Sequence, residues 1–244
     1  FTMMRDIARM VAINSERMPA EEGMPFGRGP YEALCEFMEL AKERGFEPKN
    51  YDNCVAAIDL NDHEKQLDIL AHLDVVPAGE GWTVTDPFEA CIKDGRIYGR
   101  GTADDKGPAI AAMYALQCLR DLGIPLSKNA RLIVGTDEEC GSGDIPHYYA
   151  VEEEAPMTFS PDAEYPVINI EKGSIHPEFR ASWPEDKALP RVTEIHGSLK
   201  VNVLPGKARA VVEGLDLATM QEIAEQVTQR IGITFECSEK EGSR

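Results

Sequence analysis

The feature that most restricts how this chain can fold is the run Arg131-Leu132-Ile133-Val134-Gly135, which passes directly into Thr136-Asp137-Glu138-Glu139. A short, nearly unbroken apolar run fits a strand covered on both faces, and that requires helices on either side of a sheet. The two adjacent carboxylates then fall at a strand end, where open α/β sheets hold their ligands. Read alone, such a pair fits a solvated turn more readily.

The surrounding chain supports the layered reading. Helical spacing of apolar residues predicts helices over 2–13 and 30–45, with a loop from Pro19 to Pro30 between them. Val55–Leu60 and Gln66–Leu73 read as strands. The clearest helix covers 108–122, with Pro108 at its first position and Gly123 just past its end. A further helix is expected near 144–151, and short strands at Met157–Phe159 and Val167–Ile170 bracket Asp162. Strands alternating with helices indicate an α/β domain through about residue 173. Pro177, Pro184 and Pro190 then punctuate a polar stretch. After it, a strand at Ser198–Val203, a turn at Pro205-Gly206, a strand at Ala208–Val212 and a helix near 216–231 read as the start of an α+β domain. The expected division is 1–174 and 175–244.

Composition excludes several classes of function. A net charge of -18 over 244 residues leaves no basic patch for a nucleic acid and disfavours an anionic membrane surface. No apolar stretch approaches the ~20 residues that span a bilayer. The six cysteines are scattered without a C-x-x-C pair, which points to thiols in a reducing cytoplasm. Gly99-Arg100-Gly101 does not extend to a dinucleotide fingerprint, and neither a P-loop nor a G-x-S-x-G elbow is present. The chain opens at Phe1 inside an amphipathic pattern and closes soon after an apolar segment, so a fragment is expected.

What remains is an ordered set of metal-ligand residue types. Side chains two apart on a strand share a face, so His72 can bind a metal while Asp74 accepts its other ring N–H. A buried histidine satisfied by a neighbouring acid fits that pair equally well. Asp104, in a glycine-flanked loop ahead of a helix, has two oxygens and can bridge two cations; Asp105 suits the helix N-terminus. Of Glu138 and Glu139, one can coordinate while the other takes a proton from water. Asp162 adds a further oxygen ligand. Cys140, beside Glu139, reads as an ordinary small residue.

Four of these segments resemble the catalytic domain of M20 family metallopeptidases, nearest to the PepV-type bacterial dipeptidases, which are carnosinase-like. They are the segments running from His72 to Trp82, from Tyr98 to Pro108, from Gly135 to Glu139 and from Phe159 to Pro166. The resemblance implies a three-layer αβα catalytic domain with a mostly parallel mixed sheet, followed by the first part of an α+β lid. It makes His72 and Asp162 ligands of one zinc, Asp104 the bridge and Glu139 a ligand of a second zinc. Manganese and cobalt are alternatives to zinc. Glu138 would be the general base, Asp74 the residue behind His72, and Asn202 a substrate contact, although Asn202 also fits a plain turn. A non-proline cis peptide is implied between Asp104 and Asp105.

The implied activity is hydrolysis of dipeptides or small peptides, with deacylation of N-acyl amino acids as a related alternative. The family's last metal-binding His and the lid's substrate-binding His and Arg have no counterpart here. His147, His176 and His196 lie outside the corresponding motifs and read as structural or solvated. The chain is therefore expected to be inactive alone, and a non-catalytic fragment that keeps the fold is the rival from another class.

Overall fold

A computed structural model of the chain describes residues 2–173, 175, 177–182, 187–197 and 205–239. Asn202, His176 and the strand expected over 198–203 lie outside the described residues. The chain divides into two compact units, Phe1–Asn169 and Ile170–Arg244.

The first unit is built on a five-stranded mixed sheet in the order β1-β2-β6-β3-β7. Its strands are β1 (Lys49–Tyr51), β2 (Val55–Asp59), β3 (Lys65–His72), β6 (Asn129–Gly135) and β7 (Met157–Phe159). β3 runs parallel to both β6 and β7, whereas β2 pairs antiparallel with β1 and β6. Strand alternation divides the side chains between two cores. Ala56, Ile58, Leu132 and Val134 face helices α1 (Thr2–Val11), α2 (Arg28–Glu43) and α3 (Lys106–Asp121), packing with Met10, Phe37, Leu40 and Met113. Val55, Ala57 and Ile133 face the other way, onto Tyr148 of α4 (Asp144–Tyr149). Burial on both sides explains the unbroken apolar run through β6 and makes the unit a three-layer αβα sandwich. A separate hairpin joins β4 (Cys91–Lys93) to β5 (Arg96–Tyr98).

Helix α3 starts two residues ahead of the expected Pro108. First-turn amides have no intrahelical acceptor, so a proline at the third position removes nothing the helix needs. The side chain of Asp105 does not cap α3; it accepts the main-chain N–H of His72 at 3.1 Å. The Asp104–Asp105 peptide is cis. The strand expected at Val167–Ile170 does not form: those residues belong to no sheet, and Val167 and Ile170 are exposed.

In the second unit, β8 (Arg191–His196) pairs antiparallel with β9 (Arg209–Glu213), and α5 (Leu217–Ile231) follows. Asp216 caps α5 by accepting the Thr219 N–H at 2.8 Å. Among the described residues no helix is long and apolar enough to cross a membrane.

Candidate metal centre

Sheet register assembles the site. In the parallel ladders His72 lies opposite Gly135, and Ile69 opposite Phe159. Three residues beyond Ile69 is His72, and three beyond Phe159 is Asp162, so both arrive at the same level above the sheet. Glu138 and Glu139 follow Gly135 on a 3-10 turn, Glu138–Cys140. Gly135 has no substitute there: a Cβ would lie 2.3 Å from a carboxylate oxygen of Asp144. That oxygen accepts the N–H groups of Thr136 and Asp137 at 2.5 and 3.0 Å and bends the chain out of the strand.

The five candidate ligands and base meet at this level. One ligand atom each from His72, Asp104 and Asp162 lie within 4.8 Å of one another, and the same holds for His72, Glu138 and Glu139. Nε2 of the buried His72 is 3.0 Å from Asp104 and 3.4 Å from Asp162. Its Nδ1 is 3.0 Å from the carbonyl oxygen of Asp74 and 3.4 Å from the Asp74 carboxylate. A carbonyl can only accept, so Nδ1 carries a proton and Nε2 faces the acids. The role read for Asp74 thus passes mainly to its main chain. Its fully buried carboxylate instead accepts the backbone N–H groups of Glu138 and Glu139, each at 3.1 Å, tying the end of β3 to the acidic turn.

Electrostatically the site is short of positive charge. Burial works against a charged His72, but hydrogen bonding to Asp104, Asp162 and Asp74 outweighs it and raises its pKa. The His72 partner draws Asp104 below the usual carboxylate range. Burial, then the charge of Asp104, pushes Glu139 up to about 7. Glu138 is raised as well, by desolvation first and then by the charges of Asp162, Asp74 and Asp104 against the pull of His72. Buried Asp105 is pushed up to about 8 by desolvation, and its Oδ1 has no hydrogen-bond partner. An imidazole nitrogen among crowded carboxylates, of which Glu138 and Glu139 resist ionising, is a donor set suited to a divalent cation with nitrogen and oxygen ligands. His72, Glu138 and Asp162 also line a cleft of about 500 Å³, walled on its apolar side by Leu70 and Ile145.

Within the first unit, His147 is not part of this cluster. His147 pairs with Asp52 at 2.9 Å on the surface, and His196 lies exposed on β8. Three residues missed by sequence reasoning border the site: Ser15, Arg17 and the fully buried Lys106. Their partners lie 58 to 120 positions away, and no local pattern announces such contacts.

The sequence and fold of the chain are similar to those of known peptidases. The chain is 41% identical over 216 residues to YtjP of Bacillus subtilis (strain 168), covering 87% of this chain and 46% of that protein. It is 38% identical over 222 residues to the Beta-Ala-Xaa dipeptidase of Lactobacillus delbrueckii subsp. lactis, covering 90% of this chain and 47% of the relative. It therefore spans about half the length of the curated relatives it matches. Among solved structures, the M20 family metallo-carboxypeptidase Sso-CP2 from Sulfolobus solfataricus shares the fold. The TM-score is 0.55 at 23% identity, over 66% of this chain and 37% of that one. The model of peptidase family M20/M25/M40 matches residues 69–243, a span that takes in His72, Asp74, Asp104, Glu138, Glu139 and Asp162 but not helices α1 and α2. The chain belongs to peptidase family M20/M25/M40.

Proposed function

We propose that this chain supplies the metal-binding half of a cytoplasmic dizinc dipeptidase whose lid begins in the second unit. The observation that carries the reading is the convergence of Asp104, Asp162, Glu138 and Glu139, from three further segments, on His72. The dipeptidase name of the Lactobacillus relative supports the choice of a dipeptide substrate. His72 and Asp162 would hold one ion, Glu139 the other, and Asp104 both.

Bound ions of this kind act as Lewis acids, lowering the pKa of water and polarising a carbonyl. The chain's own residues supply the rest. Glu138 accepts the proton of the attacking water and returns it to the leaving amine, a task helped by a carboxylate pKa raised toward neutrality. Asp74 fixes both partners of that step, its carbonyl setting the His72 tautomer and its carboxylate holding the amides of Glu138 and Glu139. The apolar wall of Leu70 and Ile145 suits a substrate side chain.

The reading is tested by dipeptide hydrolysis with the whole protein, stripped of metal and resupplied with zinc, manganese or cobalt. Glu138→Gln should leave metal binding nearly intact and lower turnover by about 10² or more, because an amide keeps the shape but cannot take the proton. Retained turnover in that variant would remove Glu138 from the role of base.

A further inference from the structure

One short segment, Met10 to Arg17, touches three of the four segments that carry the candidate centre. Lys106, at the start of α3 and two residues after Asp104, donates from Nζ to the carbonyls of Met10 and Ile13 at 3.0 and 2.7 Å. The buried Ser15 hydroxyl donates to the carbonyl of Leu73 at 2.6 Å, and the Val75 N–H donates to the Ser15 carbonyl at 3.3 Å. Those contacts grip the end of β3 on both sides of Asp74. Arg17 reaches the third loop, pairing with the buried carboxylate of Asp137 and donating to the carbonyl of Cys140 at 3.4 Å.

The segment is itself held tightly. Gly29 passes so close that a Cβ there would lie 2.1 Å from the Asn14 carbonyl oxygen, and the Arg17 guanidinium stacks 5.1 Å over Phe26. Asp137 transmits the grip. Its other carboxylate oxygen accepts the Gly143 N–H at 3.0 Å, and its carbonyl accepts the N–H groups of Cys140 and Ser142. Glu138 and Glu139 lie inside the turn so closed. Removing the guanidinium would leave a buried carboxylate with its main cationic partner gone, and the turn would relax around it.

We propose that Arg17 is a positioning residue for this centre, holding Glu138 and Glu139 in place through Asp137. The inference rests on the metal-centre reading above. Residues that orient metal ligands at one remove typically affect metal affinity or activity by about 10- to 100-fold.

The test uses the whole protein with Arg17→Met, which keeps the stem but loses the charge and the donors, and with Arg17→Lys, which keeps the charge. Arg44→Met serves as the stability control, since Arg44 pairs at 2.8 Å with an equally buried acid, Asp6, outside the site. Zinc titration of the metal-free proteins and dipeptide kinetics are then compared. For Arg17→Met, a loss of about tenfold or more in zinc affinity and in kcat is expected, with KM changed far less and Arg17→Lys recovering part of both. Zinc affinity and kcat matching the parent, or falling no further than in Arg44→Met, would overturn the proposal while leaving the metal-centre reading intact. Should Arg17→Met fail to fold, parent-like zinc affinity and kcat in Arg17→Lys would overturn it equally, because the guanidinium whose Nη1 reaches both Asp137 and Cys140 is gone in that variant too. A parent that binds no zinc would overturn both.

Discussion

Without a cation, His72 holds a proton on each ring nitrogen at neutral pH, because the acids facing Nε2 overcome the effect of burial. Glu139, held near 7, is partly protonated under the same conditions. A metal ion must displace both protons. Zinc binding near pH 7 is therefore expected to release about one proton from His72 and a fraction of one from Glu139, and affinity should rise as pH rises. Calorimetry in two buffers of different ionisation enthalpy reads this directly, and an identical heat in both would contradict it. At this scale His72, Glu138, Glu139 and Asp162 were legible in the sequence because each follows an apolar run, and Asp104 because it sits in a glycine-flanked loop ahead of a helix. The carbonyl of Asp74 was not, since any residue brings a carbonyl and only the fold says where it points.

Between elements, the charge inside β6 needs explanation. Arg131 is buried in the sheet, with Asp59 of β2 forking onto its Nε and Nη2 at 2.8 and 3.0 Å and Glu152, just after α4, at 2.7 Å. Tyr51 of β1 donates to the same Glu152 at 2.6 Å. Desolvation works against ionised Glu152, but these two donors win and hold its pKa down to about 2 from 4.5. A depressed folded pKa stabilises the fold above the unfolded value and ceases to do so as pH falls through the folded one. Glu152→Gln is thus expected to melt a few degrees below the parent above about pH 4.5, with the gap closing toward pH 2. A gap independent of pH would contradict it.

The long helices of the first unit and β2, β3 and β6 were legible because burial on one or both faces writes a period into the sequence, whereas β7 was read from its apolar Met157 and Phe159 although all three of its residues are exposed. The β4–β5 hairpin and β8 were not, since three-residue strands and a mostly exposed ribbon carry little apolar pattern. Val167–Ile170 shows the reverse failure: its apolar residues suit a strand, but a strand needs a ladder partner, and none of the described residues provides one.

For the molecule as a whole, the two ligand sets of the proposed centre are unequal. One comprises His72, Asp104 and Asp162, whose ligand atoms lie within 4.8 Å of one another, whereas the other would have only Glu139 and the shared Asp104. The 244-residue chain alone is expected to bind one zinc more tightly than a second and to hydrolyse dipeptides poorly, because affinity follows ligand number and pre-organisation. Titration of the metal-free chain with zinc, followed by a hydrolysis assay, checks this; two equal tight sites with full activity would refute it. The surplus of acids behind the net charge of -18 warned against polyanionic partners but said nothing of where the site lay.

The alignment of β3 with β6 and β7 has one more consequence. The spacing among His72, Glu138, Glu139 and Asp162 is measured in rungs of hydrogen-bonded backbone, and the segments that join the strands take no part in that measurement. The stretches at 77–90 and 122–128 can therefore lengthen, shorten or change composition across generations while the distances at the centre stay fixed. A single residue added within β3 would instead turn His72 to the opposite face and end the centre at once. The sheet works as a ruler, and it leaves the loops free to drift.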